Sequence, residues 1–147
     1  MSRLVCALFI ICLCTVSCWA RFSVSPVVVE AVNVQAGDSF QILFRQGSEE
    51  TITVQLSLAQ FARDQRGGIV FLEDEASVQR AREILKLMED NFPLGPNQQK
   101  IIEVEVEQGD FSDFSGVLFV KSDQPGIPVR FAVLFLLSSR SMRAGLP

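Results

Sequence analysis

The sequence contains no histidine and no tyrosine, and all four of its cysteines (Cys6, Cys12, Cys14, Cys18) fall within the first eighteen of 147 residues. Without histidine there is no side chain whose ordinary pKa suits general base work near neutral pH. If the leader is removed, the thiol nucleophile and the soft ligands for zinc, copper or iron go with it. What remains for chemistry is a carboxylate pair, a Ser-Lys pair such as Lys121-Ser122, or an oxygen-ligated Ca²⁺ or Mg²⁺ site. Charge of positive sign is also scarce. Removing Arg3 with the leader leaves 12 basic against 17 acidic residues, a net of −5, and no Lys/Arg cluster interleaves with aromatics. That balance argues against nucleic acid and against anionic membrane surfaces. No enzyme, cofactor, resident metal or small-molecule substrate is expected.

Residues 1–20 read as a secretory leader: a positive start at Met1–Arg3, an apolar run from Leu4 to Val16, and a small-residue exit at Ser17-Cys18-Trp19-Ala20. The run is too short, with these flanks, for a spanning helix of about 20 residues. Cleavage after Ala20 would leave 127 residues, a length that forms a core without disulfides. A second reading stays open. Thr15-Val16-Ser17-Cys18 is a weak lipobox, in which Cys18 would be lipidated and membrane-anchored. Trp19 is the sole tryptophan.

Past the leader the pattern is period two. The run VRFAVLFLL, Val129–Leu137, is apolar on both parities and reads as a strand covered on both faces. Phe22–Val34 reads as an edge strand bent at Pro26, followed by a turn at Gln35-Ala36-Gly37-Asp38. Phe40, Ile42 and Phe44 and then Ile52, Val54, Leu56 and Leu58 alternate with polar residues around the loop 46–50, predicting a hairpin. Residues 59–68 read as a loop or bulge, 69–72 as a short strand. Val78, Ala81, Ile84, Leu85 and Met88 have helical spacing, predicting a short helix over 77–84 that gives way to strand near 85–88. Residues 91–99 read as extended chain and turn. Ile102, Val104 and Val106 alternate with Glu103, Glu105 and Glu107. Residues 108–116 read as a loop, 117–120 as a strand, 123–126 as a turn, and 139–147 as a loose tail.

Seven or eight short strands with turn signals every 8–12 residues predict an all-β, two-sheet antiparallel sandwich over 21–138, with one short helix. A sandwich built on a buried Trp and an inter-sheet disulfide is excluded, because Trp19 and every cysteine belong to the leader.

Three stretches carry a resemblance. FSVSP, AGDSFQILFRQGSEETITVQL and NFPLGPNQQKIIEVEV, followed by GVLFVKS…IPVRFAVLF, are similar in order and pattern to the Ig-like domain of periplasmic pilus-assembly chaperones and related bacterial surface modules. The resemblance implies an Ig-like β-sandwich in a bacterial periplasmic or secreted protein that binds other proteins and assists assembly. Those chaperones have two such domains and this chain has room for one. They also carry a basic residue shortly after the first-strand proline, where this chain has Val27, Val28, Val29 and Glu30. A stand-alone, chaperone-like module that uses an exposed strand edge is therefore expected; the alternative is a structural domain of the cell envelope, lipid-anchored if Cys18 is kept.

The candidate site is the Phe22–Val34 edge, with Val24, Val27 and Val29 set to receive a partner strand by β-addition. The opposing reading is that Pro26 and Glu30 are there to block such pairing. Phe111 and Phe114 are candidate contact aromatics in a loop, or caps on the end of the sandwich. The row Glu103, Glu105, Glu107 and the triplet Glu73-Asp74-Glu75 are cation candidates, more simply a solvated face and a helix start. Arg130 reads either as a partner for a carboxylate such as Glu30 or Glu103 or as the mark of the strand's start.

Overall fold

The computed structural model describes residues 22–109, 111–123 and 130–139. Among these residues ten strands form two sheets: β1 (Phe22–Ser25), β2 (Val28–Val34), β3 (Ser39–Gln46), β4 (Ile52–Arg63), β5 (Ile69–Leu72), β6 (Leu85–Leu87), β7 (Asn91–Leu94), β8 (Gln99–Val106), β9 (Asp113–Ser122) and β10 (Arg130–Ser139). One helix, α1 (Glu75–Ile84), lies between β5 and β6. One sheet has the order β1-β3-β8-β6. The other runs β2-β10-β9-β4-β5, with β7 alongside β4.

The bend at Pro26 is where the chain changes sheets. β1 pairs antiparallel with β3, the Ser25–Pro26 peptide is cis, and β2 then pairs with β10 in the opposite sheet. The first segment is thus an edge of both sheets. The β2–β10 pairing is parallel, a departure from the all-antiparallel sandwich expected from the alternation pattern, which does not encode direction. The Gln35–Asp38 turn closes as expected, with Gly37 at φ 95° and its N–H on the Val106 carbonyl at 2.8 Å.

Alternation places Ile42, Phe44, Ile52, Val54, Ile102, Val104, Val106, Val133, Phe135 and Leu137 in one core between the sheets. Phenylalanines bridge it: Phe22 reaches Phe131 at 5.4 Å between ring centres, Phe44 reaches Phe92 at 5.4 Å, and Phe40 reaches Phe135 at 6.1 Å. A smaller cluster of Ala59, Phe61, Val117 and Phe119 lies on the outer face of the second sheet, with Val78, Ala132, Leu134 and Leu136 against it. This second cluster explains why VRFAVLFLL is oily on both parities. One parity enters the core; the other is half-buried beside Phe119 and Phe61.

The hairpin expected around 46–50 does not form: β3 pairs with β1 and β8, while β4 pairs with β5, β7 and β9 in the other sheet, because alternation fixes which face is buried and not which strand is the neighbour. Four boundaries also differ from expectation. The 59–68 segment is strand as far as Arg63, because Ala59 and Phe61 bury outward in the small cluster. The turn proper is tied by Asp64, whose Oδ1 accepts from the Arg66 and Gly68 N–H groups at 2.8 and 2.7 Å. The helix starts at Glu75 rather than Ser77, because Asp74 is its cap: Asp74 accepts from the Ser77 N–H at 3.0 Å and from its hydroxyl at 2.7 Å. The expected change to strand at Leu85 occurs, and β6 pairs with β8. The 108–116 loop is shorter than expected, since β9 begins at Asp113, and Ser139 belongs to β10 rather than to the tail. The leader, Cys18, most of the 123–126 turn and residues 140–147 lie outside the described residues.

Candidate partner-binding edge

β2 pairs only with β10 among the described strands, and no other described strand lies along its second long side. The Leu134 N–H donates to the Val27 carbonyl at 2.9 Å, with Leu134 opposite Val28. In a parallel ladder that phase turns the backbone groups of Val27, Val29 and Ala31 toward β10. Those of Val28, Glu30 and Val32 face away. Val28 is 44% exposed and Val32 76% exposed. Exposure of this size on two β-branched residues of an open edge is the surface that strand addition uses.

Beside this edge lies a groove of about 500 Å³ lined by Glu30, Val32, Asp113, Ser115, Leu136 and Ser138, among others. Its floor is apolar and its charged side chains, Glu30 and Asp113, are both acidic. Asn33, at φ 58°, then turns the chain so that Val34 enters the core.

The structure divides the candidate residues. Val27 is 59% exposed, just before β2. Val24 and Val29 are half-buried and pack against the core, so neither presents a free side chain. Phe111 and Phe114 are buried, with ring centres 6.0 Å apart, and Ser139 Oγ donates to the Phe111 carbonyl. Of the two readings, their burial fits caps on the end of the sandwich and not contact aromatics. The residues that the sequence reading missed are Val28 and Val32. Their signal was present: they share parity with Glu30, a residue that belongs in water.

The remaining charged groups do other work. Arg130 meets Glu73, not Glu30 or Glu103, and its guanidinium carbon lies 3.4 Å from the Phe119 ring centre. Glu105 faces Lys86 across β6–β8, and Lys86 Nζ lies 3.7 Å from Glu107. Among the described residues no cluster of three or more acidic, His or Cys side chains is placed to hold a metal ion, and no helix is long and apolar enough to cross a membrane. The hydrogen bonds from Ser77 hold the Asp74 carboxyl below its ordinary value.

Compared with known structures, the two-sheet arrangement has counterparts in fold. The class 5 fimbrial chaperone CfaA superposes with a TM-score of 0.64 at 12% identity, over 81% of this chain and 57% of that one. The fold is that of the pilus-chaperone Ig-like domain. The chaperone–tip adhesin complex CsuC–CsuE of Acinetobacter baumannii gives 0.59 at 10% identity, over 87% of this chain and 61% of that one. A PapD-like domain of human CEP192 gives 0.55 at 7% identity, covering 81% of this chain and 84% of that one. The chain thus spans about three-fifths of the two chaperone chains and most of the isolated domain. At these identities the likeness is one of fold. No family model matches the chain, and no curated protein matches it by sequence.

Proposed function

We propose that this protein is an exported, non-enzymatic, chaperone-like binding module of the bacterial cell envelope that takes a partner's strand on the β2 edge. The observation that carries the reading is the open side of β2, where Val28 and Val32 stand exposed beside an acidic, apolar-floored groove. A partner segment added there would gain main-chain hydrogen bonds from Val28, Glu30 and Val32 and seat an apolar side chain beside Leu136. Glu30 and Asp113 favour a segment that also carries a cation. This polarity is the reverse of an anchor for a C-terminal carboxylate. The CsuC–CsuE structure, a chaperone held to an adhesion subunit, supports a protein partner for a domain of this fold. The leader at residues 1–20 supports export, to the periplasm or medium after cleavage, or to a membrane if Cys18 is lipidated.

The test is affinity capture from envelope extracts with three variants. Val28→Lys and Val32→Lys lose the captured partner; Ile101→Lys, at an exposed site on β8, keeps it. A partner retained by both β2 variants overturns the reading.

A further inference from the structure

The edge at the opposite end of the same sheet has a different character. β5 is Ile69-Val70-Phe71-Leu72, and it pairs only with β4 among the described strands. Ile69, Val70 and Phe71 are 46%, 44% and 42% exposed, so this edge is apolar on both of its faces. Every other edge carries a polar or blocking residue: Ser23 and Ser25 in β1, Glu30 in β2, Lys86 in β6, Pro93 in β7. β5 is short, at four residues, but carries no charged residue, proline or bulge within them.

Its backbone phase is set by the hairpin. The Asp64 N–H donates to the Gly68 carbonyl at 2.8 Å, and Val70 lies opposite Ala62. Alternation in an antiparallel ladder therefore turns the N–H and C=O of Ile69 and Phe71 outward. Two outward pairs flanking one residue are self-complementary about a two-fold axis through Val70. The charges at the two ends of β5 match that axis. Arg63 and Arg66 outnumber Asp64 before it, and Glu73, Asp74 and Glu75 follow it, with Glu73 also paired to Arg130.

We infer that β5 is a homodimer interface: two copies pair antiparallel through β5, joining their sheets. Ile69 exchanges both main-chain hydrogen bonds with Phe71 of the second copy, and the reverse, while the two Val70 side chains face each other on the axis. Each basic turn then lies beside the other copy's acidic segment. A C2 contact of this kind buries the same patch on both copies. The β2 edge lies at the far side of the sheet and stays open in the dimer, so this inference stands apart from the binding role proposed above.

The expected result is a concentration-dependent dimer in sedimentation equilibrium. Val70→Lys sets two cations on the axis and gives a monomer at every concentration, with unchanged far-UV circular dichroism. Arg66→Glu weakens the dimer, and Arg66→Glu with Glu75→Arg restores it. Residues paired across the axis without mutual hydrogen bonds have Cα atoms about 4.5 Å apart, inside disulfide range. With Cys6, Cys12, Cys14 and Cys18 replaced by Ser, Val70→Cys therefore oxidises to a covalent dimer, and Val32→Cys does not. A protein that is monomeric at all concentrations, or a dimer that Val70→Lys leaves intact, overturns the inference.

Discussion

The Arg130 guanidinium lies flat enough on Phe119 to put its carbon 3.4 Å from the ring centre while it pairs with the Glu73 carboxylate. This one side chain ties the start of β10 to the segment leading into α1 and roofs the small outer cluster. Both partners of the ion pair are about half exposed, so the ion pair is a minor part of its value. Arg130→Ala is expected to cost about 1 kcal/mol in urea denaturation, mostly through the lost stacking. Glu73→Gln is expected to cost less, about 0.5 kcal/mol.

Gln46 is a buried polar side chain with every bond made. Its amide donates to the carbonyls of Glu50 at 2.7 Å, Leu94 at 3.1 Å and Gly95 at 2.9 Å, and its oxygen accepts from the Ser48 N–H at 2.6 Å. It joins the end of β3 to the turn after β7. Gln46→Leu removes these bonds, leaving the Glu50 carbonyl with the Ser48 hydroxyl at 3.2 Å and the Gly95 carbonyl with the Gln98 N–H at 3.2 Å, and is expected to cost about 1–3 kcal/mol. Gln46→Glu faces a carboxylate toward them and is expected to lower the urea midpoint further.

At the end of the sandwich, a Cβ on Gly116 would lie 2.7 Å from the Phe114 Cζ. The ring occupies the space that glycine leaves. Gly116→Ala is expected to destabilise by roughly 1–3 kcal/mol through this clash. Phe114→Ala is expected to cost about 3–5 kcal/mol through the cavity. Equilibrium unfolding of both variants checks this. It also separates a packing role for Phe114 from a partner-contact role, which would change binding at unchanged stability.

The α1 cap predicts a pH dependence of known sign. Ser77 donates to the Asp74 carboxylate from its hydroxyl and its N–H, and this lowers the Asp74 pKa from its ordinary 3.8. A carboxyl whose folded pKa is depressed contributes stability above its unfolded value and loses it as pH falls through the folded one. The contribution is therefore whole well above pH 4 and is lost progressively as pH falls below about 4 and through the lowered folded value. Asp74→Asn, which keeps a capping oxygen but no charge, is expected to flatten this acid limb in pH-dependent unfolding.

Much of the architecture was legible in side-chain alternation. The inward parities of β3, β4 and β8 and the Gln35–Asp38 turn follow from residue type at period two. The sheet switch at Pro26 was legible only as a bend. Which strand β2 joins, and in which direction, depends on pairing between residues about 100 positions apart, such as Val28 with Leu134. The extension of β4 to Arg63 was hidden because Ala59 and Phe61 bury on the outer face. That breaks the expectation that a sandwich strand buries one parity only. At the candidate edge, the sequence reading located the segment but not its exposed side chains. Val24 and Val29 look like Val28 and Val32 by type; within β2 the parity of Glu30 marks Val28 and Val32 as solvent-facing, while the half-burial of Val24 depends on the pairing of β1 with β3.

Site-specific photo-crosslinking in intact cells tests the central claim most directly. A benzophenone amino acid at Val32, in the middle of the open β2 edge, is expected to form a discrete adduct with a protein partner, while the same group at Ile101 forms none. The adduct should vanish when Val28→Lys is added. The absence of any adduct at residue 32, or an equal adduct at residue 101, would contradict the account.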